Sequence, residues 1–289
     1  MRLFIFLLIS LTSKLLIANE VIIKPSMFSV YSSNGRDWMY QKKPISIFGL
    51  GVNSFIKNKN LELTFKYLQL GLLGNVSQDL FAFSPHQSYP YIDKSKDAEG
   101  YWSEYLETKL IYDYNNIAVE LGKFNRSWGH GRRSLHISDK APSYPQIGLK
   151  YKLNPKLTFL YFHGFLNSGI PDTNRSIYYN NNYSQRFINV PRNIAAHRIE
   201  WKPNDIFLIS VNETVVYATR TLDIYYLMPI LPFYPIENYI GDTDNIQMGF
   251  ELLYNVSDSQ GSYIAFFMDE FTPEWFLKSK NHNWFAYQL

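Results

Sequence analysis

Apolar and polar side chains alternate along this chain in stretch after stretch. Alternation of period two is the mark of a β-strand with two different faces. Ile147, Leu149, Tyr151 and Leu153 fall on one face, and Gln146, Gly148, Lys150 and Lys152 on the other. Phe207, Ile209 and Val211 oppose Leu208, Ser210 and Asn212, while Ile117, Val119 and Leu121 oppose Ala118, Glu120 and Gly122. Met248, Phe250, Leu252 and Tyr254 oppose Gly249, Glu251 and Asn255. Such runs fall near 45–57, 61–72, 101–113, 116–124, 146–153, 156–165, 194–202, 206–216, 246–255, 261–270 and 283–289. They predict about eleven strands of roughly 8–11 residues, the length at which a tilted strand crosses a bilayer.

The connections alternate in length. Asn115-Asn116, Asn154-Pro155, Pro203-Asn204-Asp205 and 257–261 are short and rich in turn formers. Between them lie long segments near 125–145, 166–193 and 217–245. An up-and-down meander with its short turns at one end gives this rhythm, as outer-membrane barrels do with short periplasmic turns and long external loops. The N-terminus fits export: Arg2, an apolar run from Leu3 to Leu11, and Leu15 to Ala18 read as a signal peptide over 1–18. No later run is long and apolar enough for a membrane helix, so a membrane span must use strands. The expected fold class is all-β, an antiparallel up-and-down transmembrane β-barrel over 19–289, located in a bacterial outer membrane. Tyr, Phe, Trp102 and Trp201 near strand ends suit an interfacial girdle against outer-membrane lipid and lipopolysaccharide.

Charge placement gives that barrel an inside. Glu120, Arg198, Glu200, Glu251 and Asp269 fall within strands, and lipid exposure near the midplane costs about 2–4 kcal/mol for a cation. With Glu213 they are expected to form a network bracing a polar lumen. The net charge of +3 gives no reason to expect nucleic acid. The absence of cysteine removes thiolate catalysis, disulfides and Cys-based metal sites. The six histidines have no metal-motif spacing, so neither metal nor cofactor is expected. Ser134 and His136 lie close together but without a nucleophile elbow. A hydrolase is therefore the weakest reading, and the chain is expected not to be an enzyme.

The segment from Phe124 to Pro145 is too polar and too rich in Gly and Pro for a strand, and longer than an ordinary hairpin. Arg126, Trp128, His130, Arg132 and Arg133 are its candidate carbohydrate contacts. Planar donors grip the carboxylates of acidic sugars, and an aromatic face packs on a sugar ring. Arg175, Arg186, Arg192 and Arg220 add further cations in or beside other long loops. The residues fit equally well an ordinary loop whose arginines meet lipopolysaccharide phosphates or internal carboxylates.

Arg126-Ser-Trp-Gly-His-Gly, followed by the stretch from Ser134 to Pro145, resembles the Wzi-type capsule assembly proteins. That family carries a Trp-Gly-x-Gly turn and then a Ser-Leu-x-x-Ser-x-x-Ala-x-Pro-type stretch entering a strand. Asn193 to Arg198, Glu200, Glu213, Tyr226 to Pro229, Asn245 and Asp269-Glu270 follow in matching order. The resemblance runs from about Gly122 to Glu270. It implies an outer-membrane lectin, its pore plugged by loops, that helps assemble or retain capsular or extracellular polysaccharide without catalysis. A porin-like channel is the alternative. Family barrels have about eighteen strands, some with a helical bundle. Fewer strands are found here, and no helix. The odd strand count leaves an edge unpaired, so either a strand near 21–31 is uncounted or the chain is a truncated member, incomplete at its C-terminus; truncation is the expectation.

Overall fold

The computed structural model describes residues 19–32, 45–73, 93–94, 100–131, 134–174, 188–257, 260–269 and 283–289. The expected signal segment 1–18, the loop residues Arg132, Arg133, Arg175 and Arg186, and Glu270 lie outside the described residues. The chain divides into two compact units. One comprises residues 1–126 and 138–143, the other residues 127–137 and 144–289.

In the first unit β1 (Glu20–Ser32), β2 (Ile45–Asn58), β3 (Leu61–Leu73), β5 (Gly100–Tyr114) and β6 (Ile117–Phe124) pair antiparallel in that order. The two-residue β4 (Asp93–Lys94) pairs with β5. Asn115, at φ 54°, makes the tight turn between β5 and β6 in the left-handed region that Asn tolerates. Register sorts the side chains by face. Lys24, Asn53, Lys66 and Glu107 share one cross-strand row. Exposed Ile23, Met27, Leu50, Leu106, Val119 and Leu121 lie on the other face.

Among the described residues the second unit is a meander of seven strands. They are β7 (Tyr144–Asn154), β8 (Leu157–Pro171), β9 (Asn189–Trp201), β10 (Phe207–Ala218), β11 (Asn245–Ser257), β12 (Gln260–Asp269) and β13 (Trp284–Gln288), each antiparallel to the next. Asn154 and Asn204 close short turns by accepting backbone N–H bonds, from Lys156 and from both Ile206 and Phe207. The all-β, antiparallel, up-and-down class expected from the alternation is the fold observed. β1 is a strand the runs above did not include. With it, the described strands longer than two residues number twelve.

The segment between β10 and β11 corrects a second expectation. It holds a helix, α1 (Phe233–Ile240), where a plain loop was predicted. Pro232 precedes the helix and Pro235 occupies its first turn, where no intrahelical N–H bond is lost. Gly241, at φ 107°, ends it, and its N–H reaches the Glu237 carbonyl. Phe233 and Ile236 pack on Tyr161, Ala195, Val215, Tyr217 and Ile246. The N-cap side chain makes no bond, so the helix start is capped from elsewhere. Glu213 on β10 accepts the N–H groups of Phe233 and Tyr234, each at 2.7 Å, and meets His197 Nε2 at 2.9 Å. Its charge also suits the positive end of the helix dipole. Among the described residues, no helix is long and apolar enough to cross a membrane.

Arg220 fastens the start of this segment. It pairs with Asp223 and Asp244 and lies over the Tyr217 ring. Burial works against its charge, but the two carboxylates hold its pKa above the usual value. Replacing Glu213 with Ala leaves two helix-start donors and His197 without their acceptor. We expect a loss of about 2 kcal/mol, the scale of hydrogen bonds to a charged group. Thermal unfolding of the purified chain in detergent measures it, and an unchanged transition would refute the cap.

Candidate functional site

The two faces of the second unit have inverted polarity. Ile147, Ile199, Val211, Phe250 and Phe266 all stand at 40% exposure or more. On the opposite face Gln146, Arg198, Ser210, Thr214 and Glu251 are each at most 2% exposed. Residues 127–131 and 134–137 lie on that polar face. Trp128 and Ile137 form an isolated bridge, with Trp128 N–H bonded to the Ile137 carbonyl at 2.9 Å. Ser134 Oγ donates to the Trp128 carbonyl and accepts from His136 N–H. The Trp128 ring is buried, edge-on to Phe162 at 4.9 Å, beside Ile137 and Ala196.

Glu251 is the hub of this face. Arg198 Nη2 reaches its Oε2 at 2.6 Å, and Arg198 Nε reaches Glu200 at 2.9 Å. Ser210 Oγ lies 3.4 Å from Oε2. His130 Nδ1 stands 3.6 Å from Oε2, and His136 Nε2 3.6 Å from Oε1. Glycine lets the loop come this close. A Cβ on Gly129, at φ 127°, would meet Ser134 Oγ at 2.2 Å and Glu251 Oε1 at 2.4 Å. A Cβ on Gly249 would meet the His136 ring at 2.2 Å.

In the first unit Arg126 Nη2 pairs with Glu120 at 2.6 Å, and Lys109 pairs with the same carboxylate at 2.6 Å. Both cations lie over the Phe124 ring, Lys109 at 4.7 Å and Arg126 at 5.2 Å.

The predicted residues therefore divide. Glu120, Arg198, Glu200 and Glu251 are bound into ionic contacts, as a bracing network requires. Asp269 shares the face of Glu251 but has no ionic partner among the described residues. Glu213 does not belong to that network: it lies on the opposite face, paired with His197 and capping α1. The period of two fixes this, because residue 213 shares the parity of Val211 rather than that of Asn212. Trp128 is corrected as a sugar platform, since its ring is enclosed by the core it anchors. Arg126 is held by Glu120, and His130 is turned toward Glu251. His197 and Lys109 were missed. Their signal was the parity they share across the ladder with Glu213 and with the row beside Glu120. Among the described residues, no group of three His, Asp or Glu is placed to hold a metal.

No protein-family model and no curated protein matches the chain. Among solved structures it is similar to a FadL homologue of Pseudomonas aeruginosa, at 12% identity and a TM-score of 0.42, over 87% of this chain and 66% of that one. It is also similar to OccK9 (OpdG) of Pseudomonas aeruginosa, at 14% identity and a TM-score of 0.40, over 86% of this chain and 57% of that one. A third likeness is to OmpT, an outer membrane protein of Vibrio cholerae, at 13% identity and a TM-score of 0.32, over 86% and 75%. The chain thus spans under two thirds of the first two structures, and none is close enough to carry an activity across.

Glu251→Ala would leave Arg198 buried without its main counter-charge, and we expect it to cost about 3–5 kcal/mol. Combining Glu251→Leu with Arg198→Met should restore much of that loss in a thermal melt, and a double variant as weak as the single one would contradict it. His136 supplies a pH test. Burial, reinforced by Arg198 and opposed by Glu251, holds its imidazole below the usual range. The unfolded chain therefore takes up the proton first. The stability contributed by neutral His136 is full above the unfolded value and is lost as pH falls below it. Melts between about pH 7 and 5 should show a smaller acid-side loss for His136→Gln than for the parent.

Proposed function

We propose that the chain is an outer-membrane β-barrel protein that binds capsular or extracellular polysaccharide and helps assemble or retain it at the cell surface. The observation that carries the membrane part is the inverted polarity of the strand faces. A secreted sandwich would bury Ile147, Ile199, Val211 and Phe250 and expose Arg198 and Glu251. The opposite arrangement suits lipid outside and a polar lumen within. Trp201, Phe207 and Tyr254 sit beside the short turns on the apolar face, as an aromatic girdle requires.

Support for a plugged rather than open lumen comes from residues 127–131 and 134–137, which bring His130 and His136 to Glu251 on the polar face and are anchored there by Trp128. Support for the glycan comes from the resemblance of Arg126 to Pro145 to the Wzi-type capsule assembly proteins. Nothing in the polar cluster has the form of a catalytic triad, and no reaction is assigned to it. A porin-like channel is the rival reading, and the strand pattern alone suits it equally.

Planar-bilayer recording separates the two. The purified chain should be nearly silent, and a steady ohmic conductance would favour the channel. Deletion of the gene should release polysaccharide from the cell into the medium. Full retention after deletion would remove the glycan reading.

A further inference from the structure

Of the expected sugar contacts, Arg126, Trp128 and His130 are engaged within the fold, which leaves other polar surface to meet a ligand. The first unit contains a hollow of about 510 Å³, within the range of about 300–1,000 Å³ typical of small-molecule sites. It lies on the face that carries Lys24, Asn53, Lys66 and Glu107. Three lysines line it, Lys24, Lys66 and Lys109, against one carboxylate, Glu107.

Their commitments differ. Lys109 is bound to Glu120 and lies over Phe124. Glu107 accepts the Asn125 N–H at 3.2 Å and stands 4.0 Å from Lys66. Lys24 is exposed and has no acidic partner among the described residues. Lys24 and Lys66 flank Asn53 in one cross-strand row. Strands lie about 4.8 Å apart, so the two lysines rise from backbones about 10 Å apart. Their flexible stems can converge on one anion between them. Without an anion, the two charges repel across the row.

The rest of the lining separates a sugar acid from a bare anion. Ile22 and Phe55 supply half-buried apolar surface, while Asn53 and Thr64 supply amide and hydroxyl groups. An apolar wall matches the C–H face of a pyranose ring, the polar groups match its hydroxyls, and the lysines match a carboxylate. We propose that this hollow binds a uronic acid residue of an acidic polysaccharide, with Lys24 and Lys66 meeting the carboxylate and Asn53 a hydroxyl. The proposal rests on the glycan-binding reading above and names the sugar chemistry and the wall that recognises it.

The test uses the purified full chain in detergent, with trigalacturonate, maltotriose and inorganic phosphate as probes in calorimetric titration. The expected result is binding of trigalacturonate, with maltotriose and phosphate each at least tenfold weaker. Lys24→Gln combined with Lys66→Gln should weaken trigalacturonate at least tenfold and leave the thermal transition in place. Lys24→Glu alone, on an exposed position, should do the same if the double variant folds poorly. Unchanged affinity in a folded variant overturns the site, as does phosphate binding as tight as trigalacturonate, which would mark a plain anion site. If the chain binds polysaccharide extracted from its own cells but not trigalacturonate, the hollow is misassigned and the glycan reading stands. If it binds neither, both fall.

Discussion

Arg198 and Glu251 form an ion pair with each side chain 1% exposed, and the arrangement of the second unit follows from that burial. A charge removed from water must be paired, and removing one partner leaves a cost that the fold cannot absorb locally. Such a pair is weak evidence for stability but strong evidence for register. A slip of one residue would carry Arg198 and Glu251 to the face of Ile199 and Phe250. The pair therefore fixes which residues of each strand fall on the apolar face and which on the polar one. It also sets where the loop goes, because His130 and His136 complete the shell around Glu251 that water would otherwise fill.

The apolar face has a polar exception, and α1 is built around it. His197 and Glu213 sit opposite each other on β9 and β10, on the side of Val211. An ion pair facing hydrocarbon would be costly. The helix start supplies two N–H donors to Glu213, and Phe233 covers the His197 ring with centroids 4.4 Å apart. Helix and carboxylate each satisfy what the other leaves open. That reciprocity explains how eight residues with a proline in the first turn hold a helix that propensity alone would not.

Much of the fold was legible because strand alternation is local. Residues 146–153 and 206–216 state their faces in consecutive side chains, and the short turns at Asn115 and Asn204 carry their own chemistry. β1 was harder to read, because Lys24 and Pro25 interrupt its pattern. The helix was hidden because its cap comes from Glu213, 20 residues upstream of Phe233. Parity puts Arg198 and Glu251 on the face where they pair, and puts Glu213 on the other. Grouping Glu213 with the lumen by charge alone overrode its position two residues after Val211. The role of Trp128 was not legible, since an aromatic ring in a polar loop looks the same whether it stacks on a ligand or on Phe162.

That ambiguity bears on where recognition can reside. Arginine and tryptophan are the residues expected at a sugar site, yet they are also the side chains best able to lock a long loop onto a wall. Arg126 closes on Glu120, and Trp128 closes on Phe162 and Ala196. A loop held this firmly shapes the lumen, and the side chains left to meet a ligand are those without a structural bond. Lys24 on β1 fits that description better than the described loop arginine Arg126, because it is exposed, has no acidic partner among the described residues, and rises from backbone that the sheet already holds. Rigid strands are also the more precise platform, since a ligand bound there does not first have to order its site. The family-like motif and the proposed recognition site are thus separable. Trp128 of the motif packs into a core, and Lys24 and Lys66 on β1 and β3 present the charge of the proposed site.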